Sequence, residues 1–340
     1  MKSSGLQRSD PEGPGITRRR RGQGFSYATP GGEPLRDKAE LARIKALVIP
    51  PAWREVWISP SPDGHIQAVG TDAAGRRQYL YHDAWRERRD ADKHERMVAF
   101  AAALPRIRER VAADLRQRGF TRERVLAAAV RLIDLGFFRL GGRAYAEENG
   151  TFGLSTVRRE HVRCSGSEVT FEYPAKGSRL RERAIAEKSV CAVVRGLKRR
   201  SDESAELLAY RDGKSWHNVR AEEVNDYLRD ISGDEFTAKD FRTWHATVLA
   251  AVALAVSAPP PESRPARDRA VRRAVQEVAD LLGNTPAVAR DAYIDPQIID
   301  LFEQGVTIAR TLPRLGEDSE YGELATQGAT EEAVRRLLQR

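Results

Sequence analysis

Cysteine is scarce in this sequence, with only Cys164 and Cys191 among 340 residues. The two lie far apart and in no Cys-x-x-Cys or Cys/His spacing, which argues against a disulfide scaffold or structural zinc and favours a reduced, cytoplasmic setting. Long apolar runs are also missing, since the most apolar segment, residues 246–258, is too short to span a bilayer and predicts a buried helix. Residues 18–21 are arginines without an apolar run behind them, so neither a signal peptide nor a membrane partner is predicted.

The common phosphate-handling motifs are absent as well. The sequence has no Gly-x-x-x-x-Gly-Lys-Ser/Thr loop for nucleotide phosphates, no paired-aspartate motif for two metals and no His-Glu-x-x-His zinc motif. Its six histidines are scattered along the chain. These absences argue against ATP-driven or metal-dependent phosphate chemistry, with a site of dispersed carboxylates as the remaining alternative. We therefore expect neither a cofactor nor a metal.

The charge balance is basic, with a formal net charge of +8 and a pI near 9.6. Such a balance is typical of proteins with an anionic partner such as nucleic acid. Residues 1–24 carry six basic and two acidic side chains, +4 in all, so half of the excess lies there. That segment is rich in Gly, Pro, Ser and Arg and lacks apolar periodicity, which predicts a disordered basic tail and a mildly basic body.

The region after the tail has a helical pattern at 35–47, which ends before a pair of prolines. Turn sequences at 62–64 and 72–75 then separate three short strand-like runs, at 55–59, 65–70 and 77–82. This order predicts an antiparallel meander. We assign it to a small β-rich N-terminal domain spanning residues 25–90.

Helical periodicity dominates the remainder, which we assign to a larger, mainly helical domain at 91–340. Residues 86–93 are expected to be a linker or an exposed first turn. One predicted hairpin, 162–165 with 168–174, interrupts the helices and is followed by a loop tip at 176–178. The predicted fold class is therefore α+β. The helices are expected at 95–117, 121–141, 181–197, 221–230, 238–257, 267–282 and 331–338.

The third strand of the meander carries a basic and aromatic face. Period-two alternation places Arg77, Tyr79 and Tyr81 on one side and Gln78 on the other. A cation beside two aromatic tips fits a sugar-phosphate backbone. Packing of the tyrosines against a helix is an equally good interpretation of this strand alone.

Transfer of a phosphodiester without a metal requires cations against the non-bridging oxygens, and arginine is best suited because its planar fork donates bidentately. Arg139 follows an apolar helical stretch, and Arg242 begins a helix that becomes wholly apolar. Taken singly, each is more simply a buried partner of a carboxylate.

Lys176 on the loop tip can protonate a leaving oxygen, although most loop lysines are only solvated. Tyr293 is our candidate nucleophile, although most tyrosines are packing residues.

Together these segments resemble the type IB DNA topoisomerases, most closely the short poxvirus-like and bacterial branch. The resemblance spans the chain from residue 25 to the C-terminus, and its motifs are numerous, ordered and correctly spaced. It rests on Ile49-Pro50-Pro51-Ala52-Trp53, Gly64-His65-Ile66-Gln67-Ala68, Arg77-Gln78-Tyr79-Leu80-Tyr81-His82, Phe137-Phe138-Arg139-Leu140-Gly141, Tyr145, Glu148-Asn149-Gly150-Thr151-Phe152-Gly153-Leu154, Lys176, Lys239-Asp240-Phe241-Arg242-Thr243, Gly283-Asn284-Thr285-Pro286 and Tyr293.

The resemblance implies that Tyr293 attacks a phosphodiester of duplex DNA, forming a 3'-phosphotyrosyl link and releasing a 5'-hydroxyl. The cut strand then swivels, supercoils relax and the 5'-hydroxyl reverses the attack, without ATP or a metal. Arg139 and Arg242 would hold the non-bridging oxygens. Lys176 would protonate the leaving oxygen, with Lys239 as an assistant.

The resemblance also implies a monomer that closes around DNA as a C-shaped clamp and acts at the nucleoid. The implied DNA-contact residues are Arg77, Gln78, Tyr79, Tyr81 and Tyr145. These matches favour the DNA-binding interpretation of the third strand over the packing interpretation.

Two positions depart from the common pattern of the family. Asn284 stands where many members have histidine, and an amide can donate to a phosphate oxygen but cannot become cationic. Gly177 follows Lys176 where an acidic residue is frequent, so a more mobile loop tip is expected.

Two rival interpretations remain open from the sequence. A tyrosine recombinase also places two arginines, a lysine and a tyrosine in this order, but it usually has His-x-x-Arg where this chain has Lys239-x-x-Arg242, and its N-terminal domain is helical. A non-enzymatic basic DNA-binding protein would explain the charge and the aromatic face while leaving Tyr293 structural.

Overall fold

The computed structural model describes residues 5–22, 24–73, 75–257, 259–316 and 324–340, and the side chain of Tyr145 lies outside that description. The chain divides into two compact units, Met1–Lys93 and His94–Arg340. The division falls inside a long helix, α2 (Asp83–Leu115), so residues 86–93 are helical, which excludes the linker and agrees with the alternative of an exposed start of a helix. The predicted α+β class is confirmed, because a sheet organises the first unit and helices dominate the second.

The first unit is built on a five-stranded antiparallel sheet. Its elements are β1 (Ile16–Arg21), β2 (Gly24–Ala28), α1 (Lys38–Ala46), β3 (Arg54–Ile58), β4 (Ile66–Thr71) and β5 (Arg77–Tyr81). The strand order is β2-β1-β3-β4-β5, and the predicted meander of β3, β4 and β5 is confirmed. Asp37 caps α1, since its carboxylate accepts a hydrogen bond of 2.9 Å from the main-chain N–H of Glu40.

One face of this sheet forms the core of the first unit. Cross-strand pairing aligns Ile16, Ile58, Ala68 and Leu80 in a single row. Ile44 of α1 packs with this row and is only 1% exposed. A slip of one residue would turn the whole row to solvent, so burial of this face fixes the register of the strands.

The prediction that residues 1–24 lack secondary structure is wrong for the arginine-rich segment, which forms β1. Antiparallel pairing with β2 aligns Arg18 with Tyr27. The guanidinium of Arg18 donates to three main-chain carbonyls of segment 49–53, at 3.1, 2.9 and 2.9 Å, and lies 4.2 Å from the ring centroid of Phe25. These tertiary contacts stabilise a strand whose composition alone indicates disorder.

The second unit is mainly helical and contains two small sheets. The strands are β6 (Val162–Ser165), β7 (Glu168–Ala175), β8 (Arg179–Ile185), β9 (Ala209–Asp212) and β10 (Ser215–Asn218). In the three-stranded sheet the order is β6-β7-β8, and β9 pairs with β10. The helices are α3 (Arg122–Gly136), α4 (Arg143–Asn149), α5 (Lys188–Lys198), α6 (Ala221–Ser232), α7 (Ala238–Val256), α8 (Arg264–Leu282), α9 (Pro286–Ala292), α10 (Pro296–Glu303) and α11 (Ala329–Leu338).

Helix α7 lies at the centre of the second unit and packs against α3, α8 and α10. Phe241 and Trp244 on its first turns are fully buried, as the apolar composition of the helix predicts. Within the described ranges, no helix combines the length and the apolar character needed to cross a bilayer.

A buried ionic network joins α2, α3, α7 and α11. Arg108 donates two hydrogen bonds of 2.8 Å to the carboxylate of Asp134 and also pairs with Glu331. His245 lies 3.0 Å from Asp134, and the indole N–H of Trp244 donates to Glu331 at 2.9 Å. Burial alone would raise the pKa of Asp134, but Arg108 and His245 hold it well below its usual value. The network therefore depends on an ionised Asp134.

The predicted helix at 181–197 is wrong in its first part. Residues 179–185 form β8, which pairs with β7 along seven residues, and only Lys188–Lys198 is helical. The Arg- and Glu-rich composition favours a helix locally, but alternation buries Arg181 and Ile185 on one face, so pairing overrides propensity. The loop tip at 176–178 is consequently the turn of the β7–β8 hairpin, with Gly177 and Ser178 at φ 79° and 57°.

Candidate active site

Two helix ends meet at the centre of the site. Helices α3 and α8 are both followed by a residue in the left-handed conformation, Phe137 (φ 54°) and Gly283 (φ 62°). The last carbonyls of a helix have no partner within the helix and carry partial negative charge. Nη2 of Arg181, on β8, lies 3.3 Å from the carbonyl oxygen of Gly136 and 3.2 Å from those of Phe137 and Leu281. One guanidinium thus joins both ends.

Arg242 on α7 lies in the same place and is only 3% exposed. It donates to the carbonyl of Phe137 and, at 3.0 Å, to the carbonyl of Leu282. Its Nε is buried without a partner among the described residues. Burial and the nearby charge of Arg139 lower the pKa of Arg242 to about 10. The carbonyl partners argue against the alternative that Arg242 is simply paired with a carboxylate.

Arg139 follows α3 and reaches the end of α8. Its Nη2 donates to the carbonyl of Gly283 at 3.0 Å and to Oδ1 of Asn284. Its main-chain carbonyl accepts a 2.7 Å hydrogen bond from the N–H of Leu154. The fold therefore brings Arg139 into contact with Gly283 and Asn284, as the sequence motifs predict.

Two chain segments cross closely behind Arg139. A β-carbon on Gly141 would lie 2.8 Å from Cα of Gly153, and Gly141 has φ 84°. Ser155 donates its main-chain N–H to the carbonyl of Leu140 at 2.8 Å. Only glycine permits this approach, which explains the Gly-rich sequence after Arg139.

Tyr293 caps the short helix α9 and is half-buried beside Arg242. The guanidinium carbon of Arg242 lies 5.2 Å from the centroid of its ring. Burial alone would raise the pKa of Tyr293, but Arg242, and then Arg139 and Lys239, lower it below its usual value. The phenolate is thus stabilised, and this favours a nucleophilic tyrosine.

Asn284 presents an unpaired donor. Its Oδ1 accepts from Arg139, its main-chain N–H donates to the carbonyl of Ala279 at 2.8 Å, and its Nδ2 is buried without a partner among the described residues. A buried amide nitrogen left unpaired is costly unless a ligand supplies an acceptor. The arrangement is suited to an anionic oxygen beside Arg139.

The two candidate lysines are exposed. Lys176 lies on the β7–β8 turn and lines a cleft of about 290 Å³ with Arg139 and Asn284. Lys239 lies in the first turn of α7, and its charge contributes to the lowered pKa of Tyr293. All six candidate catalytic residues therefore belong to the second unit, and Arg139 contributes both to the cleft and to the electrostatics of the tyrosine.

Three arginines of the cleft were missed by the sequence reasoning, Arg179, Arg181 and Arg183. Arg183 also donates to the carbonyl of Leu281, and the Nε atoms of Arg181 and Arg183 are buried without partners among the described residues. The available signal was the alternation of arginines at 179, 181 and 183, which the predicted helix concealed.

The predicted DNA-contact residues of β5 form a separate cluster in the first unit. Tyr79 and Tyr81 stack with centroids 6.2 Å apart, and Arg77 lies 5.9 Å from the ring of Tyr79 while it pairs with Glu12 at 2.6 Å. Gln78 lies on the opposite, core-facing side and donates to the carboxylate of Asp72 at 2.9 Å. The side chain of Tyr145 falls outside the described residues.

Comparison with known proteins identifies the family. A family model described as the catalytic core of eukaryotic DNA topoisomerase I matches residues 82–310, more than half of the chain. A second, described as the N-terminal domain of bacterial DNA topoisomerase IB, matches residues 24–72. This chain belongs to the type IB DNA topoisomerases. It is accordingly an enzyme of that class, with DNA as its substrate.

Viral type IB topoisomerases are similar to this chain over most of their length. DNA topoisomerase 1B of Acanthamoeba polyphaga mimivirus is 27% identical over 294 residues, which are 85% of this chain and 88% of the viral one. DNA topoisomerase I of monkeypox virus and DNA topoisomerase 1B of vaccinia virus (strain Copenhagen) are each 22% identical over 233 residues, 68% of this chain and 71% of theirs.

Proposed function

We propose that this enzyme relaxes supercoiled duplex DNA by cutting one strand through a 3'-phosphotyrosyl intermediate, allowing the strand to rotate and then resealing it. The observation that carries the proposal is the position of Arg242 against the ring of Tyr293, which lowers the pKa of the hydroxyl that would attack. Membership of the type IB family supports DNA as the substrate.

In the cleavage step, Oη of Tyr293 loses its proton to water and forms a bond to phosphorus, while the bond from phosphorus to the 5'-oxygen breaks. Negative charge develops on the non-bridging oxygens. Arg139 and Arg242 donate to these oxygens, since carbonyl partners leave their positive charge without a neutralising carboxylate. The cations are in place before the substrate binds, so little reorganisation accompanies the reaction.

The leaving 5'-oxygen needs a proton, and Lys176 supplies it from the β7–β8 turn, with Lys239 assisting. Religation reverses the step: the 5'-hydroxyl attacks phosphorus and returns its proton to Lys176, and Tyr293 leaves as a phenolate that takes a proton from water. One phosphoester replaces another in each direction, so the reaction requires neither ATP nor a metal ion.

Asn284 would donate its unpaired Nδ2–H to a non-bridging oxygen beside Arg139. The amide has no titration in the physiological range, so this contact is the same at all pH values at which the enzyme is folded.

Binding of duplex DNA would further involve Arg77, Gln78, Tyr79, Tyr81 and Tyr145. We propose that a single copy of the chain carries out the whole cycle.

The direct test is relaxation of a supercoiled plasmid with excess EDTA and no ATP, comparing the natural protein with Tyr293→Phe. We expect the natural protein to relax the plasmid and the variant, which lacks a single hydroxyl, to be inactive while binding DNA normally. Relaxation by Tyr293→Phe would refute the nucleophile assignment. A requirement of the natural protein for two cognate sites and a tetramer would instead indicate a recombinase.

A further inference from the structure

Three arginines form a row along β8. Alternation along the strand places Arg179, Arg181 and Arg183 on one face, about 6.7 Å apart from one to the next. All three line the cleft that also contains Lys176 and Arg139. Their row is therefore continuous with the candidate active site but is not used by the cleavage step proposed above.

The cleft has an excess of positive charge. Five cationic side chains line it against two carboxylates, Glu182 and Asp280. Asp280 accepts a 2.8 Å hydrogen bond from Gln276. Glu182 lies between Arg181 and Arg183 on β8 and, by the alternation of the strand, on the face opposite to theirs. Burial, followed by the charge of Arg183, lowers the pKa of Arg181 to about 9. These cations are thus poorly neutralised by the protein itself.

The row also contains unused donors. The Nε atoms of Arg181 and Arg183 are buried and have no partner in the described part of the chain. Their remaining contacts are to main-chain carbonyls, which neutralise only part of a guanidinium charge. Buried, unpaired guanidinium donors are unfavourable unless an anion completes them.

The middle of the row adjoins the residues that we assign to the scissile phosphate. A β-carbon on Gly283 would lie 2.9 Å from Nη1 of Arg181 and 3.9 Å from Nη1 of Arg139, so both guanidinium groups flank this one glycine. An anion bound by the row would therefore be a close neighbour of the one bound by Arg139 and Asn284.

We infer that Arg179, Arg181 and Arg183 form a second phosphate site, which binds the DNA phosphate adjacent to the scissile one. The inference rests on the proposed function, because it is the scissile phosphate that defines the neighbour. The second contact fixes the strand on one side of the break, so that the attacked phosphorus is held in line with Tyr293.

The test measures equilibrium binding of a short duplex by fluorescence anisotropy at potassium chloride concentrations from about 50 to 200 mM. The full chain carries Tyr293→Phe, so that no cleavage occurs. In this background Arg179→Gln and Arg183→Gln are compared with Arg163→Gln. Arg163 is a matched control because it is exposed and lies in the same three-stranded sheet, but pairs with Glu172 at 2.6 Å.

Each substitution in the row should make the negative slope of log affinity against log salt shallower by about one, because one phosphate contact is lost. Arg163→Gln should leave the slope unchanged. Arg183→Lys should keep the slope. A duplex in which a methylphosphonate replaces the adjacent phosphate should bind weakly, with no further loss from Arg179→Gln. Arg179 is exposed, so its variant remains informative if Arg183→Gln unfolds.

The inference would be overturned if Arg179→Gln and Arg183→Gln left the slope unchanged and had melting temperatures near that of the parent. The row would then have only a structural role at the helix ends. The proposed function fails separately, if the natural protein forms no covalent adduct with DNA. Relaxation with unchanged slopes therefore refutes only the second site, and shallower slopes without an adduct refute only the chemistry.

Discussion

Arg108 and Arg242 are both largely buried arginines of the second unit, but their partners differ in kind. Arg108 is paired with two carboxylates, Asp134 and Glu331, which raise its pKa above the usual value although burial alone would lower it. Arg242 is held by the carbonyls at two helix ends, and burial together with Arg139 lowers its pKa to about 10.

Under the proposed mechanism, this one domain buries arginines for two purposes. Carboxylate partners neutralise Arg108 and make it part of the core that links α2 to α11. Carbonyl partners orient Arg242 but leave its charge without a carboxylate, and we propose that this charge binds the phosphate. Substitutions at the first site should therefore change stability, and substitutions at the second should change the rate of cleavage.

The largest effect on stability is expected for Asp134→Asn. The substitution removes the negative charge between Arg108 and His245, and breaking a buried ion pair costs about 3 to 5 kcal/mol. Urea unfolding at pH 7 measures the loss. The cleavage rate, measured at a temperature where the variant is folded, should stay within about tenfold of the natural protein, a limit of about 1.4 kcal/mol.

The difference in unfolding free energy between the natural protein and Asp134→Asn should disappear in acid. The pKa of Asp134 is lowered on folding, so the ionised form contributes stability above its unfolded pKa of about 3.9, and that contribution is lost as pH falls towards the folded pKa. The unfolding free energies of the natural protein and Asp134→Asn should therefore converge below about pH 4. A constant gap from pH 7 to pH 3 would contradict this.

Of the two buried arginines, Arg242 should affect the chemistry more, as Arg242→Gln would show. Removing one positioned donor from a transition-state oxygen typically slows a reaction by about 10² to 10³. Single-turnover cleavage of a labelled duplex measures the rate. Because Arg242 also lowers the pKa of Tyr293, the rise in rate that accompanies ionisation of Tyr293 should move to higher pH in this variant. A fall in stability with an unchanged rate would place Arg242 with Arg108 as a structural residue.

Gly283→Ala should have a moderate effect on both properties. Its left-handed conformation costs a residue with a β-carbon about 1 to 2 kcal/mol, and the added carbon would lie 2.9 Å from Nη1 of Arg181. Gly166→Ala is the control, since Gly166 has φ 50° and a β-carbon added to it would have no atom within 4 Å. Both variants should lose stability in urea, but only Gly283→Ala should also slow cleavage.

The smallest effect is expected for Asn284→His. The natural protein should show no break near pH 6.5 in the rate of cleavage, because an amide does not titrate there. The histidine variant should acquire one, with a rate change of about fivefold as a neutral donor becomes charged, a difference of about 1 kcal/mol. A break near pH 6.5 in the natural protein that Asn284→Ala abolishes would contradict the assignment.

The sequence predicted those features that depend on local pattern. Alternating residues and turns predicted the meander of β3 to β5, and the apolar run of α7 predicted a buried helix. Arg139, Arg242 and Tyr293 were predicted as site residues from the order of their motifs, and the fold brings the three together.

The features that sequence reasoning missed depend on distant contacts. Strand β1 was concealed by its arginines, which are stabilised by carbonyls of residues 49–53. Strand β8 was concealed by a composition that favours helix. The role of Arg181 could not be read from the sequence because it arises only where the ends of α3 and α8 meet.

The central claim is that Tyr293 becomes covalently joined to DNA in the arginine site. Denaturing the enzyme during the reaction on supercoiled DNA, digesting the trapped complex and sequencing the nucleotide-bearing peptide by mass spectrometry tests this most directly. The account predicts one modified peptide, with Tyr293 linked to a 3'-phosphate, and no adduct from Tyr293→Phe. An adduct on another residue, or a link to a 5'-phosphate, would contradict it.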